Sequence, residues 1–337
     1  MDVYRVCRTA LLSAFLVLAL LIGHISAQEE RVLVVVTAGP LASVVKEVGG
    51  EYVEVRSILP PSTDPHSYEP SAQELLSLIS GASLIVMTGP HHLPVEERIE
   101  ELSREGLIRA RVLDYRDYQR EGLRLLEIDG SLNPHGYFFS LSGLRAIAKA
   151  CAGEFSRLMP DRSEYFKQRL DAYLERLALI EDAVRRLNVH GVRVALADPA
   201  LQYIADDLGL DVEAILRIEH GVEPSPKEVA EIVKLSREGR VSLVLLSDIG
   251  LMRGSAIMTA LEENKVSYAL IPLLSFSNRP ELASVSVASI VKSRLQPGGS
   301  MRGAGSLSDA FLLPSLVANI MLALVLILLI LRVRRHG

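Results

Sequence analysis

The sequence predicts an α/β protein in which two βα lobes with parallel sheets are joined by a long rigid backbone helix and followed by a C-terminal transmembrane helix. The first observation is that β-branched runs alternate with helical patterns, which is typical of parallel βαβ units. The second is an amphipathic helical pattern over 162–188, after which the alternation starts again. The third is an apolar run at 311–331 that is long enough to cross a bilayer.

Both ends of the chain are far more hydrophobic than its middle. Arg5 and Arg8 precede an apolar run, and small residues end at Ala27, which is the pattern of a cleaved secretory signal. An uncleaved N-terminal anchor is the alternative, and either segment exports the chain. No cysteine lies at the cleavage point, so a bacterial-type lipid anchor is not expected. Arg332 follows the span at 311–331 directly, which predicts a short cytoplasmic tail and an extracytoplasmic main domain.

The elements of the first lobe can be predicted in order from burial patterns and stop signals. Ser71 and Glu74 have the spacing of a capping box, so a helix begins there. Strands are expected at 31–36, 52–58, 82–88 and 112–115, and helices at 41–48, 71–80, 95–104 and 141–158.

The second lobe repeats the pattern after the long helix. A coiled-coil dimer seam is the alternative for that helix, but its heptads are too few and too irregular, so a monomer is expected. Strands are expected at 193–197, 212–216, 241–246 and 267–271, and helices at 200–207, 228–237 and 255–263. A stretch rich in glycine and serine then leads to the predicted membrane span.

Composition excludes some classes of protein. The net charge of −5 argues against a nucleic-acid-binding surface, which needs a concentrated basic patch. Cys151 is the one cysteine after the signal, so no internal disulfide is possible and Cys151 is expected in the core of a helix.

Histidines in proline-rich loops are the candidate functional residues. His66 lies in a segment with four prolines, and it follows a strand at the edge of the sheet where ligands bind in such folds. A loop histidine bonded to nearby backbone is the alternative. His135 follows Pro134 and opens a helix. His91 and His92 are adjacent, so their side chains point in different directions; they could line a cleft but could not easily share one metal ion.

These motifs resemble the solute-binding proteins of zinc and manganese ABC importers, whose lobes are joined by a rigid helical backbone. The likeness covers about 31–274, and the segment around His66 is its most specific part. The motifs that carry it are at 35–41, 61–70, 133–135 and 223–227.

The resemblance implies a set of metal ligands. His66 matches the first ligand of the family and His135 the second, and Asp198 stands in the place of the third. The expected fourth carboxylate is absent, because the turn at 271–274 reads Ile-Pro-Leu-Leu. Asp248 could replace it, although an Asx turn or a helix cap is the alternative for that residue. The acidic, histidine-rich loop of the family is also missing.

The predicted function is a membrane-anchored receptor that binds zinc or manganese between its lobes and delivers it to the permease of an ABC importer in the same membrane. It is not expected to be an enzyme. One alternative is a metal-dependent hydrolase, in which Asp248, Glu69 or His92 would supply the acid or base. Another is a surface adhesion or scaffold protein that has lost metal binding. The predicted division is signal peptide 1–27, metal-binding lobe 28–160, linking helix 161–190, C-terminal lobe 191–292, tether 293–310, transmembrane helix 311–331 and cytoplasmic tail 332–337.

Overall fold

The computed structural model describes residues 31–59, 66–90, 92–216, 225–251 and 256–295. The predicted signal peptide, transmembrane helix and cytoplasmic tail lie outside these residues, as does the tether after residue 295. Within the described ranges, none of the helices has both the length and the apolar character that a membrane span requires.

The first lobe contains a four-stranded parallel sheet. Its strands have the spatial order β2-β1-β3-β4, with Val36 paired to Ser57 on one side and to Val86 on the other. The carboxyl ends of these strands therefore meet at one edge. The strands are β1 (Val32–Val36), β2 (Val53–Ser57), β3 (Leu84–Val86) and β4 (Arg111–Leu113). The helices are α1 (Gly39–Gly49), α2 (Ala72–Leu78), α3 (Pro94–Arg104), α4 (Tyr115–Arg120) and α5 (Leu141–Leu158).

Two features of the first lobe differ from the sequence prediction. The expected strand at 112–115 ends at Leu113, because Asp114 caps the short helix α4 in a capping box with Asp117. A small antiparallel hairpin, which the sequence did not predict, is formed by β5 (Glu127–Ile128) and β6 (Ser131–Leu132). Each strand has only two residues, too few to show alternation.

A 25-residue helix, α6 (Ser163–Leu187), follows α5 and links the two lobes. It ends at Asn188, which adopts the left-handed conformation with φ 51°, a common way to end a helix. Near its start, the rings of Tyr165 and Phe166 lie 4.8 and 6.3 Å from the ring of Tyr52 in the first lobe. The long helix is thereby anchored to the first lobe by edge-to-face aromatic contacts.

The second lobe contains another four-stranded parallel sheet, in the order β10-β9-β7-β8. It ends in a 14-residue helix that the sequence did not predict, because partly buried apolar residues such as Val285 and Ile290 lie beside its fully buried positions and weaken the periodicity. The strands are β7 (Arg193–Leu196), β8 (Asp211–Ile215), β9 (Leu243–Ser247) and β10 (Tyr268–Ile271). The helices are α7 (Gln202–Asp207), α8 (Pro226–Arg237), α9 (Asp248–Leu251), α10 (Ala256–Glu263) and α11 (Leu282–Leu295).

The two lobes share one apolar core. A single cluster of buried side chains includes Val34 of the first sheet, Tyr173 of α6 and Val194 of the second sheet. Cys151 of α5 belongs to it and is fully buried, as predicted; burial raises the pKa of its thiol to about 12, so it is unreactive near neutral pH.

Asp207, at the end of α7 in the second lobe, caps the start of α5 in the first lobe. Its Oδ2 accepts hydrogen bonds from the backbone N–H groups of Leu141 and Ser142. Burial raises the pKa of Asp207, while these bonds lower it. A carboxylate at a helix N-terminus satisfies amide donors that the helix itself leaves unpaired.

Candidate metal site

The site is built at the carboxyl edge of the first sheet. β1, β2 and β3 are parallel neighbours, so the segments that follow them emerge side by side. Thr37 follows β1, His66 lies in the segment after β2, and Thr88 and His92 follow β3. His135 comes from the segment between β6 and α5. The edge therefore gathers three imidazoles that are distant in sequence.

The three histidines converge. One ring nitrogen from each of His66, His92 and His135 lies within 4.8 Å of the other two. Ring centroids are 5.6 Å apart for His66 and His92, 5.7 Å for His66 and His135, and 4.6 Å for His92 and His135. His92 is 3% exposed, and its Nε2 lies 3.0 Å from Nδ1 of His135. Neutral imidazoles arranged in this way can supply three nitrogen ligands to a divalent ion.

A fully buried carboxyl, that of Glu96 in α3, lies behind the cluster. It accepts hydrogen bonds from the backbone of Thr88 (2.6 Å) and Gly89 (3.0 Å), and from the hydroxyls of Thr37 and Thr88. The Thr88 hydroxyl also bonds to Nδ1 of His92. Burial raises the pKa of Glu96 to about 7, even though its hydrogen bonds act in the opposite direction.

Asp198, the predicted ligand from the second lobe, lies outside the three-histidine cluster. It follows β7 and is 6% exposed. One carboxylate oxygen accepts from the backbone of Ala200 at 2.9 Å, and the other accepts from the hydroxyl of Ser247. Asp198 therefore acts as a cap of the turn that follows it.

The loop that contains Asp198 is nevertheless in direct contact with the loop of His135. The side-chain amide of Asn133 donates to the carbonyl of Pro199 at 3.0 Å. Gly136 has φ +83°, and a Cβ placed on it would lie 2.0 Å from the carbonyl oxygen of Ala200. Only glycine allows this close approach of the two backbones. The His135 loop of the first lobe and the Asp198 loop of the second lobe thus meet here.

Asp248, the second candidate carboxylate, starts the short helix α9. Its Oδ1 accepts from the backbone of Ile249 at 3.0 Å and from that of Leu274 at 3.2 Å. Burial raises its pKa. These contacts match the alternative role of a turn and cap residue, and they hold the 271–274 turn against the end of β9.

His92 and Glu96 are the residues that sequence reasoning left out of the site. His92 does not line a cleft at its rim; it is buried within the cluster. The signal available in the sequence was its position directly after a buried strand, on the same sheet edge as His66. Nothing in the sequence distinguished Glu96 from its acidic neighbours in the same helix.

Comparisons with known proteins find relatives of this chain. The family model described as zinc-uptake complex component A, periplasmic, matches residues 34–251. The manganese ABC transporter substrate-binding lipoprotein PsaA of Streptococcus pneumoniae is 22% identical over 223 residues, which are 63% of this chain and 70% of that protein. The zinc-binding protein TroA of Treponema pallidum is 24% identical over 226 residues, covering 66% and 71% of the two chains.

A similar fold occurs among solved structures. The solute-binding protein FpvC of Pseudomonas aeruginosa, in complex with Ni²⁺, superposes with a TM-score of 0.66 at 24% identity. The match covers 81% of this chain and 100% of that one. The two-lobe arrangement with a linking helix is therefore shared with a structure that holds a divalent metal ion.

Proposed function

Because the chain belongs to the zinc-uptake complex component A family, we propose that it is an extracytoplasmic receptor that binds a divalent metal ion and delivers it to an ABC importer. The observation that carries this proposal is the convergence of His66, His92 and His135 within 4.8 Å at the carboxyl edge of the first sheet. The ion is cargo, so the receptor must bind it reversibly. The partner implied by the family is the permease of the importer.

The donor set favours zinc over manganese. Imidazole nitrogen suits zinc and nickel, whereas manganese prefers oxygen ligands. Three imidazoles of one lobe would form most of a tetrahedral site. The fourth position falls to Asp198, whose loop contacts the His135 loop. To reach the ion, its carboxylate would exchange the Ser247 hydroxyl for the metal.

A role in binding fits the site better than hydrolysis. A metal hydrolase keeps an acid or base beside an open metal position. Glu96 is a buried carboxyl linked to the cluster through Thr88, and it accepts hydrogen bonds from donors of Thr37, Thr88 and Gly89. It is therefore poorly placed to take a proton from a substrate. The relatives PsaA and TroA are named for binding, which supports the same reading.

Membrane attachment through 311–331 is part of the proposal. The apolar run and Arg332 after it support a single span with the two lobes outside. The monomeric state is proposed as well, since the apolar side of α6 packs within the shared core. Removal of the chain from residue 311 onward should release the protein from membranes, which fractionation of expressing cells would measure. Retention of the truncated chain in the membrane fraction would contradict this anchor.

Metal titration of the full chain in detergent tests the function. We expect zinc to bind more tightly than manganese, as measured by calorimetry with a competing chelator. We also expect the zinc-bound protein to show no hydrolytic turnover. Alanine at His66, His92 or His135 should weaken zinc binding strongly. His190→Ala is the matched control, because His190 is an exposed histidine in the turn between α6 and β7. Equal zinc affinity in all four variants and the wild type would place any metal site elsewhere.

A further inference from the structure

We infer that Thr88 and Glu96 form a positioning relay that fixes His92 in the tautomer with a proton on Nδ1, leaving the Nε2 lone pair for the metal ion. This inference rests on the proposed function, since it assigns a role in metal binding. Neither residue touches the ion. They act through His92, which the geometry places as the most deeply buried imidazole of the cluster.

The relay starts at the carboxylate of Glu96. Its oxygens receive four hydrogen bonds, two on Oε1 and two on Oε2. Two of the donors are backbone N–H groups, which can only donate. The carboxylate form, which is acceptor-only, satisfies all four donors at once. Glu96 is 0% exposed, so water does not compete for these positions.

The direction of the next hydrogen bond follows from the single proton of a hydroxyl. Thr88 Oγ1 lies 2.6 Å from Oε2 of Glu96, and it also bonds to Nδ1 of His92. Since the carboxylate has no proton to give, the hydroxyl donates to Glu96. Its lone pair must then accept from His92, so Nδ1 carries the proton. A histidine ligand commonly has its tautomer fixed in this way by the group behind it.

The remaining nitrogen faces the other ligands. Nε2 of His92 lies 3.0 Å from Nδ1 of His135, within the cluster. The backbone of Thr88 holds the same region from the other side, because its carbonyl accepts from the hydroxyl of Tyr137 at 2.6 Å. Thr88 thus orients the His92 ring with its side chain and the segment after His135 with its carbonyl.

The test uses two readouts on the full chain, both at pH 8, where Glu96 is a carboxylate. The first is the ¹⁵N chemical shifts of His92 in metal-free protein, assigned with a His92→Gln variant. The second is the Kd for zinc against a competing chelator. Wild type should show Nδ1–H. Thr88→Val keeps the branched shape of the side chain but removes its hydroxyl, so the Nδ1–H tautomer of His92 should no longer dominate. The Kd for zinc should rise by ~10-fold or more.

Two further variants separate positioning from general stability. Thr88→Ser restores the hydroxyl and should keep both the tautomer and the affinity. The hydroxyl of Thr37 also donates to Glu96, so Thr37→Val removes a donor to the carboxylate but leaves the bond between Thr88 and His92 in place. The tautomer should therefore not change. A proton on Nε2 in the wild type would overturn the inference, and so would wild-type affinity in Thr88→Val. If the wild type bound no zinc, the proposed function would be refuted. The ¹⁵N shifts of His92 would still show whether Thr88 and Glu96 fix its tautomer.

Discussion

Titration of Glu96 should change the free energy of unfolding of the metal-free protein over a defined pH range. Burial raises the pKa of Glu96 from 4.5 to about 7 in the folded state. The folded state therefore holds a proton that the unfolded chain loses between those values. The stabilisation is fully present below pH 4.5 and is lost as the pH rises through 7. The two pKa values correspond to about 3 kcal/mol in all, of which about 2.5 kcal/mol falls between pH 5 and pH 8.

Chemical denaturation of chelator-treated protein at pH 5 to 8, followed by circular dichroism, measures this effect. Glu96→Gln removes the titration, so the stability of wild type relative to this variant should fall by about 2.5 kcal/mol from pH 5 to pH 8. The comparison cancels the other titrating groups of the chain. Glu97→Gln is the matched control, because Glu97 is exposed on the same helix. The fall of about 2.5 kcal/mol is expected only in the comparison with Glu96→Gln.

A relative stability of wild type and Glu96→Gln that is constant with pH would refute this reasoning. It would mean that the four hydrogen bonds to the carboxylate fully offset the cost of its burial. The relative stability could also change with the opposite sign, so that wild type becomes more stable than the variant as the pH rises. That result would mean that the hydrogen bonds to the carboxylate contribute more than its burial costs.

Three further predictions concern the contact between the lobes and the candidate ligand of the second lobe, Asp198. Gly136→Ala should lower the free energy of unfolding by more than ~2 kcal/mol in urea denaturation, because its Cβ would lie 2.0 Å from the carbonyl of Ala200. Gly122→Ala, also at positive φ but with nothing within 4 Å, should cost only about half as much. Tyr203→Phe removes a hydroxyl that bonds to two backbone groups of the first lobe, and should cost ~1–2 kcal/mol in the same assay. Asp198→Ala should weaken zinc binding in calorimetry but leave residual affinity from the three imidazoles; unchanged affinity would exclude it as a ligand.

Much of the fold could be predicted because its strands are short buried runs. The expected strands at 31–36 and 241–246 correspond to Val32–Val36 and Leu243–Ser247. Such β-branched and leucine-rich runs are typical of sheets covered on both faces. The sequence does not predict elements that are held mainly by tertiary contacts. The hairpin of β5 and β6 is one of them. Its Glu127 carbonyl accepts from Gln202 of the second lobe, a contact that no local pattern reveals.

The site was predictable only in part for a similar reason. His66 and His135 stand in proline-rich segments, which marked them as residues of fixed loops. For His92, the sequence supports only the expectation that the side chains of two adjacent residues diverge. That reasoning excludes only the joint use of His91 and His92, and the sheet order that brings the segment after β3 beside His66 is a tertiary fact. Assigning Asp198 and Asp248 as ligands remains a prediction.

The cap that Asp207 provides to α5 has a consequence for how the molecule can be divided. The first amides of that helix find their acceptor on the other lobe, 66 residues along the chain from Leu141. Neither lobe expressed alone would have a complete set of partners, so the two halves are not interchangeable modules. In a hybrid that combined the first lobe of this chain with the second lobe of a relative, Ser140 would still cap the amide of Gly143. The amides of Leu141 and Ser142 would lose their acceptor unless the relative carried one at that position.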